Sequence, residues 1–323
     1  AESGFVFGLS IAVFTLVMVF SGRLLSQRGP KITAIIGSIL YLVGYLIASV
    51  AHGSFPLLLI GVGLFAGSGI GFGYVVPLSV GIQWFPNHKG LVTGLSVGGF
   101  GGGAIILSSI METAKLAGVS LDRYFFSYGL FTGIVLFVCA LLLSFPEQES
   151  ENGKSIPAES PKPNLLVWMS IVGMFCGTFA GLLLVGNLAP FIKAQGLTEI
   201  HSVLAVMLFS FGNLSGRIIW GYLFDRFGSP LRFLSLLLSA LFYTLLVLTN
   251  SRWVLLFGIL VLGFLFGSQF VLYAGSLSRI YSAKEFSRMY PLVFLSYGFA
   301  GIIAPGIGGW MADAFGSYTP ALL

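Results

Sequence analysis

The chain has 323 residues, of which 56% are hydrophobic and 8% are charged, and its net charge is +5. A soluble domain carries about 25% charged residues, and a disordered chain is polar, so the composition excludes both classes. Two cysteines are too few for a disulfide scaffold. The remaining class is an all-α membrane protein with many spans.

Ten apolar stretches in chain order are long enough to cross a bilayer, which takes about 20 residues per helix. They lie at 4–26, 30–51, 55–83, 90–111, 122–145, 165–192, 200–223, 231–249, 253–278 and 287–311. They are too long and continuous for barrel strands, which alternate over about ten residues. Because the chain begins at Ala1 and an eleventh apolar stretch begins near its end, we expect one helix to be absent before it and one to be truncated.

The basic residues predict the orientation, because Lys and Arg collect in cytoplasmic loops. Eleven of the sixteen lie in odd-numbered loops, four lie in even-numbered loops, and Arg217 lies inside a span. We expect the odd loops to be cytoplasmic and the protein to lie in the plasma (inner) membrane. The positive charge is then a topology signal and not a sign of nucleic-acid binding. Five tryptophans near span ends are typical of an aromatic belt: Trp84, Trp168, Trp220, Trp253 and Trp310.

Residues 147–164 are polar, charged and rich in proline, which predicts a flexible cytoplasmic linker. They divide the chain into an N-terminal lobe, 1–146, and a C-terminal lobe, 165–323. The two lobes repeat each other at a constant offset of 199 residues. Four matches share this offset: Gly22–Gly29 with Gly221–Gly228, Tyr74 with Tyr273, Lys89 with Arg288, and Gly99–Gly102 with Gly298–Gly301. Two copies in the same orientation are typical of two-lobed transporters.

The segments Gly22–Gly29 and Gly221–Gly228 resemble the signature loop of the major facilitator superfamily, although Ser26 stands where the first loop usually has Asp. The resemblance implies two six-helix lobes related by a pseudo-two-fold axis. The ten spans then correspond to family helices 2 to 11, with helix 1 absent and helix 12 truncated. The resemblance also implies that these loops stabilise the outward-open state, through Gly22, Arg28, Gly29, Gly221, Asp225, Arg226 and Gly228.

Two further motifs narrow the resemblance. The segment Trp84–Leu95 resembles the opening of helix 5 in monocarboxylate transporters and the related oxalate/formate antiporters. In helix 8, the Asn213-x-x-x-Arg217 pattern resembles an Asp-x-x-x-Arg pattern of the monocarboxylate transporters. This resemblance implies transport of small carboxylates, usually together with a proton, but Asn213 cannot titrate. Anion exchange and a non-transporting sensor on a carrier fold therefore stay open as alternatives.

Arg217 is the main candidate for binding the substrate. It precedes Asp225 by eight residues, or about 12 Å of helix. A charge at this depth is costly and normally faces a cavity, and a guanidinium can hold a carboxylate with two parallel hydrogen bonds. The alternative is that Arg217 snorkels to the headgroups or pairs with a carboxylate. Asn213, one turn away on the same face, could orient the guanidinium or contact the substrate.

The remaining candidates are polar or aromatic residues within spans. Tyr74 and Tyr273 could direct hydroxyls at the cavity, or they could bond a neighbouring helix. The weaker candidates are Asn187, Tyr297, Phe100 and Phe299. Phe299 aligns with the position where the resemblance to oxalate transporters implies a second cation. A single cation favours a monoanion over a dianion.

Several other signals are discounted. The glycine-rich runs 67–73 and 98–103 have no preceding strand and indicate close helix packing and not nucleotide binding. No metal or cofactor site is expected, because the histidines are scattered, and no enzyme chemistry is expected. The sequence thus predicts a monomeric secondary carrier of monocarboxylates, with the proton as co-substrate and a rocker-switch mechanism of alternating access.

Overall fold

The computed structural model describes residues 2–146, 163–249, 251–318 and 320. The regular secondary structure within these ranges is helical, without a strand. The all-α prediction is confirmed. The helices are α1 (Glu2–Ser49), α2 (Phe55–Leu58), a π-helical segment (Leu59–Ala66), α3 (Gly67–Trp84), α4 (Lys89–Leu116), α5 (Leu121–Leu142), α6 (Leu165–Gly186), α7 (Leu188–Ala194), α8 (Glu199–Phe227), α9 (Leu231–Leu248), α10 (Arg252–Ile280) and α11 (Ala283–Phe315). Most of the predicted linker, 147–162, lies outside the described residues.

Within these ranges, eight helical segments have the length and composition of a membrane span. One of them, Phe5–Ser49, is 45 residues long and is interrupted at Gly29, where φ is 82° and ψ is 177°. A helix of about 20 residues crosses the bilayer, so this segment holds the first two predicted spans. The α4 helix, which holds the fourth predicted stretch, is not among the eight.

The helices form two compact units. The first comprises Ala1–Pro86, Ser109–Met169 and Leu277–Gly298. Here α1 packs against the π-helical segment, α3 and α5. The glycine-rich run at the start of α3 allows this packing, because an added Cβ at Gly69 would lie 2.6 Å from the backbone nitrogen of Tyr41, and one at Gly71 would lie 2.7 Å from the carbonyl oxygen of Phe14.

The second unit comprises Asn87–Ser108, Ser170–Ser276 and Phe299–Leu323. Its apolar core includes Trp220 and Phe224 of α8, together with Leu265 and Leu272 of α10. Trp220 is 3% exposed, so its assignment to an aromatic belt is wrong; the side chain packs inside the unit, whereas the other four tryptophans are exposed. The division into lobes at 147–164 stays a prediction.

Candidate functional site

Arg217 lies in the second unit, in the interior of α8, and is 3% exposed. Its Nε donates a hydrogen bond to Asn213 Oδ1 at 3.0 Å, and its Nη1 donates to the backbone oxygen of Val97 at 2.6 Å. Val97 belongs to α4, so the guanidinium reaches from one helix to the next. Hydrogen bonds from a charged donor are about twice as strong as neutral ones, and they hold this side chain away from its snorkelling conformations.

The guanidinium also has neighbours on α10 and α4. The ring of Phe270 on α10 lies on one side, with its centroid 4.3 Å from Arg217 Cζ. Gly101 on α4 is also adjacent, since an added Cβ there would lie 3.5 Å from Nε. A desolvated cation over an aromatic ring gains about 2 kcal/mol. Its hydrogen bonds and these neighbours thus fix the position of the side chain.

Asn213 lies one turn before Arg217, and its carbonyl oxygen faces the guanidinium. The contact fixes the rotation of the planar group about its long axis. A carboxylate can approach a guanidinium along the Nε–Nη2 edge or along the Nη1–Nη2 edge. In this arrangement Asn213 engages the first edge at Nε, and Val97 engages the second at Nη1.

The two repeat-related tyrosines lie in different surroundings. Tyr74 belongs to the first unit and is 8% exposed, with its ring centroid 5.2 Å from Phe14 and 4.9 Å from Phe294. Tyr297 shares the neighbour Phe294, at 5.2 Å. Tyr273 belongs to the second unit and is 2% exposed, and its hydroxyl lies where a side chain at Gly173 of α6 would stand. The structure therefore places Tyr273 in the packing of α6 against α10.

Asn187 stands at the break between α6 and α7. Its Nδ2 donates to the backbone oxygen of Leu183 at 3.0 Å and to that of Pro305 at 3.1 Å. These bonds tie the end of α6 to α11 within the second unit. Phe299 is 56% exposed. The side chain of Phe100 lies outside the described residues, and only its place in α4 is given.

The second signature loop joins α8 to the start of α4. Asp225 accepts hydrogen bonds from the backbone N–H groups of Gly90 at 2.7 Å and Leu91 at 2.9 Å. Since Val92 N donates to His88 O, His88 occupies the N-cap position of α4, and Gly90 and Leu91 are N2 and N3. Those are the donors that an N-cap side chain usually satisfies, so a carboxylate from another helix performs the capping. The negative charge also faces the positive end of the helix dipole.

The first signature loop contacts α11 in the first unit. Arg288 Nε donates to Ser26 Oγ at 2.8 Å, and Ser287 Oγ donates to the backbone oxygen of Gly22 at 3.2 Å. The arginines Arg28 and Arg226 are exposed. The final glycines of both loops have closely similar backbones: φ is 82° at Gly29 and 77° at Gly228.

Sequence reasoning missed the partners that are backbone atoms, above all the carbonyl of Val97 and the amides of Gly90 and Leu91. The available signal was the spacing of Gly90, Gly94, Gly98 and Gly102, which recur every four residues and line one face of α4. All four face α8: an added Cβ at Gly94 would overlap the backbone oxygen of Arg217, and one at Gly102 would touch Leu214.

The comparisons with known proteins agree with this fold. The family model described as Major Facilitator Superfamily matches residues 1–234 and 174–323. The "Oxalate:formate antiporter" of Oxalobacter formigenes is 26% identical over 98% of this chain and 80% of its own length. "Monocarboxylate transporter 11" of Homo sapiens is 23% identical over 100% and 71%. A crystal structure of a variant of the E. coli fucose:proton symporter FucP has a TM-score of 0.77 at 14% identity, over 100% of this chain and 87% of that one.

Proposed function

Because the chain belongs to the major facilitator superfamily, we propose that it is a secondary carrier of small monocarboxylates, of the lactate and pyruvate type, and that Arg217 binds the substrate carboxylate. It is a transporter and an integral membrane protein. The substrate, its coupling to protons and the binding residues are the proposal. A central site served by two lobes, a monomeric state and the cytoplasmic position of the basic loops belong to it as well.

The observation that carries the proposal is the buried guanidinium of Arg217. A charged side chain at this depth is expensive, at about 2.5–3.5 kcal/mol on insertion scales, and is retained where it has a function. Its orientation is fixed by Asn213, and its face is covered by Phe270. A fixed planar fork recognises a planar carboxylate better than a flexible ammonium would.

One cation supports a monoanion as the substrate. No Lys or Arg follows Arg288 in the sequence, and Phe299 stands where the resemblance to oxalate transporters implies a second cation. An aromatic side chain offers apolar surface and no charge, which suits a small acid with one charged and one apolar end. The names of the two relatives, an oxalate:formate antiporter and a monocarboxylate transporter, support carboxylates as the class of substrate.

Anion exchange is the second candidate, for two reasons. Asn213 stands where the resemblance implies a titratable Asp, so it cannot carry a proton. The antiporter relative aligns with 98% of the chain. In either mode, the carrier alternates access by a rocker switch, and the signature loops stabilise the outward-open state through Gly22, Arg28, Gly29, Gly221, Asp225, Arg226 and Gly228.

The test is uptake of labelled L-lactate by the purified protein in liposomes. Uptake that an inward proton gradient drives would establish symport, and uptake only into liposomes preloaded with another carboxylate would establish exchange. Arg217→Lys keeps the charge but loses the fork, so we expect binding to weaken about tenfold or more. Arg252→Lys is the matched control, since Arg252 is exposed at the start of α10. Wild-type affinity for L-lactate in Arg217→Ala would contradict the assignment of Arg217 as the residue that binds the carboxylate.

A further inference from the structure

We infer that the substrate carboxylate replaces the Val97 carbonyl on the guanidinium of Arg217, and that binding thereby loosens the contact between α4 and α8. The inference rests on the proposed function and adds to it a means by which the bound substrate unlocks the carrier. All the residues that carry it lie in the second unit.

The contact between α4 and α8 contains little apolar side chain near Gly90 and Gly94, at the start of α4. Gly90 meets Gly221, and Gly94 meets the backbone of Arg217, so closely that an added Cβ at either glycine would overlap the other helix. Polar bonds supplement this packing at two levels. Asp225 accepts hydrogen bonds from the amides of Gly90 and Leu91. The guanidinium of Arg217 donates one to Val97 O, seven residues after Gly90.

Asn213 and Val97 differ in what each loses when a ligand displaces it from the guanidinium. Asn213 lies on α8 itself, and displacing its Oδ1 would leave a partly buried amide oxygen without this donor, which costs about 1–3 kcal/mol. The Val97 carbonyl lies inside α4, where the residue four positions later, Gly101, supplies an intrahelical N–H. It can therefore give up the guanidinium and still be hydrogen bonded.

A carboxylate competes well for this donor, because a charge-assisted pair is roughly twice as strong as a bond from the same cation to a neutral carbonyl. It takes the place of Val97 O on Nη1, while Asn213 keeps Nε and the orientation of the group. The attachment of α4 through Val97 is then gone, and the Asp225 attachment remains. The carrier without substrate keeps both attachments.

The experiment is hydrogen–deuterium exchange of the full chain in lipid nanodiscs, followed in peptides that cover residues 89–101. L-lactate is the probe, and L-lactamide, its neutral amide, is the matched ligand control. We expect L-lactate to speed exchange in this segment about tenfold, as the loss of one charge-assisted hydrogen bond predicts, and lactamide to leave it unchanged. L-lactate that binds, by thermal shift of the same sample, without speeding this exchange would overturn the inference and leave the proposed function intact.

A second arm uses a variant without any ligand. It tests whether the hydrogen bond from Arg217 to Val97 O slows exchange in α4. Arg217→Gln should speed exchange in residues 89–101 by about the same factor, and lactate should add nothing further. Arg252→Gln removes a similar charge from α10 and should match the wild type. Wild-type exchange in a folded Arg217→Gln protein would also refute the inference, and a misfolded one would leave the wild-type ligand arm to decide. A third outcome is that lactate, pyruvate and formate all fail to bind the wild type, while exchange in α4 is faster in Arg217→Gln. That result would reject the proposed function and the release by substrate, and would support only the role of Arg217 in attaching α4 to α8.

Discussion

Two helices that the repeat relates, α4 and α11, begin in different ways. The start of α11 is capped locally: Ser282 N donates to Glu285 Oε2 at 2.9 Å, and Ser282 Oγ accepts from Glu285 N at 3.4 Å. This is the reciprocal arrangement of a capping box. The start of α4 is capped by a carboxylate from another helix, that of Asp225. A local cap stabilises one helix, whereas the cap from Asp225 also joins α4 to α8.

The difference explains the departure of the first signature loop from its usual residue. The offset of 199 relates Lys89, the first residue of α4, to Arg288, but α11 begins five residues earlier, at Ala283. The backbone near Arg288 is therefore already within the helical ladder, and no first-turn amide is available to a residue at position 26. A carboxylate there would find nothing to cap. Ser26 instead accepts a hydrogen bond from the side chain of Arg288.

The largest effect should come from the feature that both loops share, which is the close approach of their first glycine. In Gly221→Ala the new Cβ would overlap the backbone oxygen of Gly90, and in Gly22→Ala it would overlap that of Ser287. Because backbone atoms must move, we expect each variant to lose about 3 kcal/mol of stability. The measurement is unfolding in detergent micelles. Gly99→Ala is the control, since nothing lies within 4 Å of its added Cβ, and a loss equal to the control would contradict the prediction.

The second largest effect on stability should differ between the two signature loops. Asp225→Asn keeps the size of the side chain but loses the charge and one acceptor, and its new amide group would face the N–H donors of Gly90 and Leu91. We expect a loss of about 2 kcal/mol. Ser26→Ala loses the bond from Arg288 Nε and the one that Ser26 Oγ donates to Arg23 O in its own helix, both at a partly exposed site, and should cost about 1 kcal/mol or less. The same unfolding assay compares them, and equal losses would show that the two attachments do not differ.

Much of the fold could be predicted from the sequence, because hydrophobic length and charge bias are strong constraints in a bilayer. The four-residue spacing also predicted that positions 213 and 217 share one face of a helix. The partners of Arg217 could not be predicted in the same way. Val97 contributes a backbone carbonyl, which leaves no trace in its side-chain type, and Phe270 is one of 31 phenylalanines.

The packing partners of Asn187 and Tyr273 could not be predicted either. Asn187 donates to two backbone oxygens at a helix break, and Tyr273 fills the space beside Gly173. Both roles depend on which helices are neighbours, and a single sequence does not encode that directly. Comparison of the two loops in the sequence showed that Ser26 stands where the second loop has Asp225. The structural reason for this difference is the residue at which α11 begins.

A smaller effect should again be common to both loops. Gly29 has φ 82° and ψ 177°, and Gly228 has φ 77° and ψ −151°, a backbone region that is essentially restricted to glycine. We expect Gly29→Ala and Gly228→Ala each to cost about 1.5 kcal/mol. Gly103→Ala is the matched control, because it has the same open space for a Cβ as Gly29 but lies within α4, and it should gain about 0.5 kcal/mol. A gain in Gly29→Ala as well would mean that the loop adopts a different backbone.

The smallest effect should come from restoring the usual residue, with Ser26→Asp. The carboxylate would face the guanidinium of Arg288 and form a partly exposed ion pair, which adds up to about 1 kcal/mol and weakens as salt is raised. It would not cap α11, because the first turn of that helix precedes Arg288 in the chain and is already capped by Ser282 and Glu285. A double-mutant cycle with Arg288→Gln separates the two readings. If the gain disappears in the Arg288→Gln background, the carboxylate acts on the arginine alone. If the gain persists there, the carboxylate has reached backbone amides of α11, and the explanation from the earlier helix start is wrong.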